Sequence, residues 1–368
     1  MSKSIGEMVG ITYLPLHSGH VPPKLFNYMV RLGKPLIKYM VDEVGEDNLL
    51  LRFGDPFFFQ AFGSILGFDW HSSGITTVVT WVLSKVLEDE EIPLKIVGGK
   101  GRYMRGIPDR LSQYANIESE KLLQISRLTA KGDTILLQDG YDIYHHSILF
   151  IDEDRWVVIQ QGMNKNLKYA RRYHWDYTTF KDRRYINEPH IAIITEKYEE
   201  RILNLYSSDS IDAKKTILDI LRDGTLKRDL RRLLDRIDYG LNKWVSNDRS
   251  RIDFNILYLP KKINWSVINK IYLEKPDNYE SLIQYSGFNK DVVRALALVS
   301  ELIYGDRICW SDIPRYTYTV GGKDGVPYPI NYRTYRTLIE FFENIIEGSE
   351  LERTEKKRML KRLSKIRI

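Results

Sequence analysis

The alternation of hydrophobic and polar positions changes period several times along the chain, and each change predicts an element. Two runs rich in β-branched and aromatic residues, Ile143 to Ile151 and Trp156 to Gln161, flank the acidic turn Asp152-Glu153-Asp154. That layout predicts a β-hairpin. If the turn sets Ile151 opposite Arg155, His146 faces Gln160 across the ladder and His145 faces Gln161 on the reverse side. Near the turn both faces are apolar, with Ile148, Phe150, Trp156 and Val158 on one and Leu149, Val157 and Ile159 on the other. Burial on two sides is therefore expected. The polar groups gather at the open end: Gln138, Asp139, Tyr141, His145, His146, Gln160, Gln161 and Asn164. Buried hydrogen-bonding side chains need partners, so this end is either a satisfied network or a reaction site.

Helical patterns surround the hairpin. Pro22-Pro23 opens a helix that Gly33-Lys34-Pro35 should interrupt and that ends near Val44. DPFFFQAFGSILG is an apolar helix with Asp55 as N-cap and Pro56 in its first turn, and TTVVTWVLSKVLEDEE is another. PLKIVGGKGRYMRG is a strand running into a glycine-rich loop, PDRLSQYANIESEKLLQISRLTAKG holds one or two helices, and IAIITEK is the last strand. From about Tyr198 onward the periodicity is helical, with SDSIDAKKTILDILRDG and LKRDLRRLLDRIDYG each opening on capping residues or charge and closing on glycine. The pattern as a whole predicts an α+β protein. A small mixed sheet wrapped by apolar helices occupies residues 1–200, and an all-helical domain occupies 206–368.

Length and charge sharpen that division. At 368 residues two domains are the natural expectation, and a hydrophobic fraction of 43% is ordinary for a chain that builds its own core. No apolar run approaches the ~18–20 residues of a membrane span, and MSKSIGEMVGITYLP lacks a signal-peptide layout, so a soluble cytoplasmic protein is expected. A single cysteine, Cys309, excludes an internal disulfide and a multi-cysteine zinc site. Few cysteines with many Lys, Arg, Glu, Ile and Tyr would suit a thermophile. Residues 1–190 balance 23 Lys and Arg against 23 Asp and Glu, whereas residues 191–368 carry 32 against 26, the whole net charge of +6. All seven histidines lie in the first 190 residues. Groups that titrate near neutral pH thus sit in one half, and positive field in the other.

Several stretches carry candidate chemistry. His17 and His20 lie in a loop before a helix start. GFDWHSSG sets Asp69 and His71 between two apolar helices, where an Asp-x-His pair can orient an imidazole or share a divalent metal. The VGGKGRYMR loop carries Lys100, Arg102 and Arg105, cations suited to a phosphate, although its spacing is not that of a P-loop. Arg171, Arg172 and Tyr173, then Arg183, Arg184 and Tyr185, interleave cations with rings as a nucleic-acid groove does. A second glycine-lysine loop surrounds Lys323, and the C-terminal ELERTEKKRMLKRLSKIRI has eight Lys and Arg against three Glu. LIQYSGFNKDVVRALALVSELIYG resembles the helix-hairpin-helix of DNA-binding and DNA-repair proteins near 279–304, with Gly287-Phe288-Asn289 as the hairpin and Lys290 beyond it. Asn289 stands where a second glycine is usual and can take a left-handed conformation. The resemblance implies that hairpin N–H groups and the second helix start bind one phosphate. In glycosylases of this kind an Asp follows, here Asp312. The usual lysine position holds Asp291, so a lyase-type mechanism would lack its nucleophile.

The blocks LPLHSGHVPPKLF, GFDWHSSG, GGKG, QDGYDIYHH, VIQQGMN, ARRYHW, RALALVSELIYG and GGKDGVPYP together resemble the prokaryotic domain-of-unknown-function family numbered 763, from about residue 11 to 345. That resemblance labels the chain without assigning an activity. The residues themselves suggest a DNA-processing enzyme, most simply a repair nuclease. Asp69, His71, Asp139 and His145 or His146 would hold a divalent ion (Mg or Mn) or activate water, with His146 preferred because it faces Gln160. Lys100, Arg102, Arg171 and Arg172 would neutralise phosphate, and Gly287, Asn289, Lys290 and Lys323 would hold the duplex. The alternatives are a glycosylase using Asp312 and a non-catalytic DNA- or RNA-binding scaffold.

Overall fold

The computed structural model describes residues 21–68, 73–181, 186–195, 199, 201–244, 263–312, 353–354 and 356–358. Four helices come first: α1 (Pro23–Val44), α2 (Glu46–Gly54), α3 (Pro56–Leu66) and α4 (Ser73–Val86). The edge strand β1 (Lys95–Lys100) and two short helices, α5 (Arg102–Arg105) and α6 (Ile107–Leu111), lead to the long α7 (Ser119–Ile135). Strands β2 (Leu137–Gln138), β3 (Asp142–Phe150), β4 (Trp156–Asn164) and β5 (Tyr169–Asp176) follow, then α8 (Tyr177–Lys181), β6 (Ala192–Thr195) and β7 (Leu203–Asn204). The described part of the C-terminal half is helical: α9 (Ile211–Asp223), α10 (Leu226–Trp244), α11 (Trp265–Glu274), α12 (Tyr279–Gln284) and α13 (Lys290–Val299), which continues as a π turn over Ser300–Tyr304.

The expected α+β class holds. The main sheet has the order β1-β3-β4-β5-β6 and every pairing in it is antiparallel, so it is not of mixed direction. Hairpin connections between β3, β4 and β5 allow only that. The central register is the one the acidic turn dictates, with Ile151 N–H donating to Arg155 O, His146 opposite Gln160 and His145 opposite Gln161. A one-residue slip would have moved every side chain to the opposite face of the sheet.

Helices cover both faces. On one side α2, α3 and α4 bury Leu50, Phe53, Phe59, Phe62, Val79 and Leu83. On the other side α7 lies across β3 and β4, and α12 and α13 pack behind it. Lys131 on α7 ties the layers together by donating to the carbonyls of Ile283 (3.1 Å) and Tyr285 (2.7 Å). One continuous hydrophobic core runs from Phe26 to Ile308 through both halves.

Helix α1 is unbroken although Pro35 lies inside it. The proline removes one backbone donor, but Met29, Gly33, Leu36, Ile37 and Met40 form a continuous buried stripe. Gly33 lets that stripe approach α4 closely, since a β-carbon there would stand 3.3 Å from Val86. Packing along the whole helix overrides the local interruption. No helix among the described residues is long and apolar enough to cross a membrane.

Candidate functional site

The polar end of the hairpin is divided by the sheet into two separate networks. On the α7 face, Ser126, Thr129 and Asp133 stand at intervals of three and four, one stripe of a helix turned inward. Ser126 Oγ lies 2.8 Å from His146 Nε2, and His146 Nδ1 lies 2.8 Å from Gln160 Oε1. The Gln160 amide donates to Thr129 O (3.1 Å) and to the Asp133 carboxylate. Asp133 also accepts from Trp175 Nε1 (2.9 Å) and from His190 Nε2 (2.5 Å).

This arrangement fixes the tautomer of His146. A carboxylate only accepts, so the Gln160 NH2 must face Asp133 and its carbonyl oxygen must face the ring. His146 therefore carries its proton on Nδ1, and Nε2 accepts from the Ser126 hydroxyl. Burial pushes the His146 pKa down to about 4, which keeps the ring neutral at pH 7. Hydroxyl, imidazole and orienting amide thus form a serine–base dyad with its orienter. Ser126 is 5% exposed and His146 1% exposed, so the dyad lies in the interior. Each hydrogen-bonding side-chain group of Ser126, His146 and Gln160 has its partner within this network.

On the α4 face the partners are hydroxyls and backbone. His145 Nε2 is 3.1 Å from Thr80 Oγ1 and 3.1 Å from Ser147 Oγ. Gln161 donates to Ser73 O (3.0 Å) and to the Tyr144 hydroxyl, and accepts from Thr76. Arg172 donates to Thr76 Oγ1 (3.1 Å) and lies 4.8 Å over the Phe59 ring. Burial lowers His145 to about 3 and Arg172 to about 9. Asp69 and His71 lie outside the described residues, as do His17, His20, Arg183, Arg184, Tyr185 and Lys323. Ser73 is anchored on this face, whereas Asp139 and Gln160 serve the other.

Asp139 belongs to a third cluster. The turn Gln138-Asp139-Gly140-Tyr141 needs glycine at its tip, where φ is +84°, and Asp139 Oδ1 accepts from the Tyr141 N–H (3.0 Å). Its Oδ2 accepts from Tyr173 Oη (2.7 Å) and from Arg171 (2.9 Å). The same guanidinium donates twice to Asp312 (3.0 and 2.7 Å), which also accepts from the Glu199 N–H (2.9 Å). Tyr141 stacks its ring 4.6 Å from Arg171. Burial opposes the Arg171 charge, but the two carboxylates outweigh it and hold the guanidinium protonated. Asp139 is pushed up to about 6 by burial, with Asp312 adding to the shift and Arg171 opposing it. Arg171 therefore clamps the QDGY turn to the segment after α13.

These contacts set the surroundings of several candidate residues and correct the conformation expected of Asn289. Arg171 and Arg172 are fully buried on opposite faces of β5 and cannot meet a polyanion. Asp139 has both oxygens committed, and among the described residues no group of three or more His, Cys, Asp or Glu is placed to share a metal ion. Asp312 is 3% exposed and bound to Arg171. His145 and His146 point to opposite faces, as strand alternation requires, and neither reaches solvent. Asn289 is not left-handed: with φ −128° it caps α13 by accepting from the Val292 N–H (3.1 Å), and only Gly287 has positive φ, +86°. A β-carbon at Gly287 would meet Val267 at 2.7 Å. Near that turn, Lys290 stands 3.6 Å from Asp142, and a cleft of about 280 Å3 opens between the QDGY turn and α13.

Several of the sequence-derived cations stand in the open. Lys100 and Arg102 are exposed at the β1–α5 junction, together with Arg105. Gly98 makes the junction possible, because a β-carbon there would lie 2.3 Å from the His146 carbonyl oxygen and its φ is +104°. Sequence reasoning passed over Ser126, Thr129, Asp133, Thr76 and Thr80. Their signal is polar residues in the core-facing phase of α7 and α4, a pattern that a solvent-facing stripe imitates.

No curated protein and no solved structure matches the chain. A family model described as "Protein of unknown function (DUF763)" matches residues 10–330, and the chain belongs to that family.

Proposed function

We propose that the chain is a nucleic-acid-binding protein that grips the phosphate backbone through the exposed cations of the β1–α5 junction. The observation that carries this reading is a contrast in availability. Lys100, Arg102 and Arg105 are exposed, and no described carboxylate pairs with any of them, whereas the described catalytic candidates are buried and hydrogen-bonded. Unpaired surface cations gain by releasing counterions from a polyanion. The α12–α13 turn adds a helix-hairpin-helix-like contact through Gly287, Asn289 and Lys290. Binding rather than bond cleavage is therefore the activity these residues support.

The test is binding of labelled DNA and RNA to the full chain across a salt series, with and without chelator. Substituting Lys100, Arg102 and Arg105 together by Ala should flatten the slope of log K against log salt by roughly 2–3, at ~0.7–0.9 per lost phosphate contact. Undiminished binding in that variant would refute the reading. Chelator-sensitive cleavage of the substrate would instead restore a hydrolytic role, carried by residues outside those described.

A further inference from the structure

Resting on the phosphate-gripping reading, we propose that the exposed ring of Tyr103 and the cations around it form a stacking platform for single-stranded nucleic acid. Tyr103 is 43% exposed at the centre of α5. Its base is fixed by the strand beneath, since Gly99 has φ +131° and a β-carbon there would stand 3.2 Å from Tyr103 Cβ. Glycine at this position lets the short helix fold back onto β1 and hold the ring outward. The Arg102 guanidinium lies 5.0 Å from the ring centroid and donates to the phenol oxygen at 3.2 Å.

The surroundings of the ring are cationic. Arg102 first, then Lys85 and Arg110, hold the Tyr103 phenol below its ordinary range, with no carboxylate among the opposing groups. Lys85 is itself paired with Glu88 at 2.7 Å, but no described carboxylate pairs with Lys100, Arg102, Arg105 or Arg110. Residues 95–110 carry five Lys and Arg against the single Asp109. A second exposed ring, Trp81 (44%), lies one helical turn before Lys85 on α4 and stacks its inner side on Phe26 at 3.9 Å. An aromatic ring set among unpaired cations matches a polyanion whose bases have open faces. In a duplex those faces are already stacked on one another. The helices here, of four and five residues, are also too short to enter a major groove.

The experiment compares the full-length chain with its Tyr103→Ala, Tyr103→Trp and Arg102→Ala variants. Fluorescence anisotropy is read on a labelled oligothymidine of about 15 nucleotides, on a duplex of equal length, and with inorganic polyphosphate as competitor. A single lost stack should weaken oligothymidine binding roughly 5- to 150-fold in Tyr103→Ala and leave duplex binding unchanged. Tyr103→Trp should retain the affinity and lose tryptophan fluorescence on binding. Arg102→Ala should lower the salt slope by about 0.7. Thermal melts guard against misfolding, and an exposed side chain should leave them unmoved. Oligothymidine binding that is unaltered in Tyr103→Ala overturns the platform. So does a loss shared equally with duplex, or full displacement by polyphosphate. Salt-sensitive binding of oligothymidine and duplex alike that ignores Tyr103 would remove the platform and leave phosphate gripping standing. No binding to any polyanion would remove both.

Discussion

Arg171 and Arg172 are neighbours in sequence, equally buried, and opposite in circumstance. Arg171 faces α7 and is held between Asp139 and Asp312, whose charges keep it protonated. Arg172 faces α4, donates to the Thr76 hydroxyl, and is lowered to about 9 by burial. The whole sheet repeats the difference. The α7 face is organised by the carboxylates of Asp133 and Asp139, which accept from arginine, tyrosine, tryptophan, histidine and glutamine. The α4 face is organised by hydroxyls and carbonyls at His145 and Gln161. A carboxylate with several charged or polar donors is a stronger and less replaceable centre than a hydroxyl. The fold should therefore depend more on the α7 face.

Arg171→Met tests that contrast most severely. It would leave Asp139 and Asp312 buried against each other without a cation, a change that costs about 3–5 kcal/mol. Urea unfolding monitored by tryptophan fluorescence should show a midpoint displaced accordingly, with little dependence on salt because the cluster is shielded from solvent. A loss under 1 kcal/mol would mean that the clamp between the two halves does not hold them.

Acid should destabilise the protein next most strongly, and from both faces. His145 and His146, lowered to about 3 and about 4 by burial, take up protons when the chain unfolds but not while it is folded. His174 is lowered well below its ordinary value for the same reason. Stability from these groups is complete above pH 6.5 and is lost as pH falls towards 4. Asp139, raised to about 6, works the other way, since the stabilisation from its extra proton disappears as pH rises through 6. The three histidines outweigh Asp139, so stability should fall by about 2–4 kcal/mol between pH 7 and pH 5. His145→Gln, on the α4 face, should flatten the profile. A profile already flat in the parent chain would mean that the rings are charged inside the fold.

Much of this architecture could be read from the residues, and the failures share a cause. The hairpin register was legible because three acidic residues confine the turn and both strand faces are apolar beside it. Class and element order followed from periodicity in the same way. ARRYHW misled because alternation in a buried strand looks the same as the basic-aromatic interleaving of a groove. Only Asp139 and Asp312, 32 and 141 positions away, reveal what Arg171 neutralises. Pro35 misled because its local effect was weighed without the packing of the whole of α1 on its neighbours. Asn289 does not take the conformation of the glycine it replaces, because its side chain has a better use as a cap. The inward serine, threonine and aspartate of α7 are periodic, but nothing in their spacing says which way the stripe faces.

Ser126→Ala is the mildest of these tests and the one most specific to the α7 face. Removing the hydroxyl leaves His146 Nε2 without its donor, while Gln160 still holds Nδ1 and Asp133 still holds Gln160. The expected cost is about 1 kcal/mol, that of one buried acceptor left unpaired with no change in charge. Nitrogen NMR of the ring should show the proton on Nδ1 in the parent chain and in the variant alike, because the amide beyond it dictates the tautomer. A proton on Nε2 in the parent chain would reverse the direction of every hydrogen bond from Ser126 to Gln160. The Gln160 amide would then have to turn its carbonyl oxygen towards Asp133. Two acceptors would face each other in the core, and the carboxylate could no longer be the centre on which that face is built.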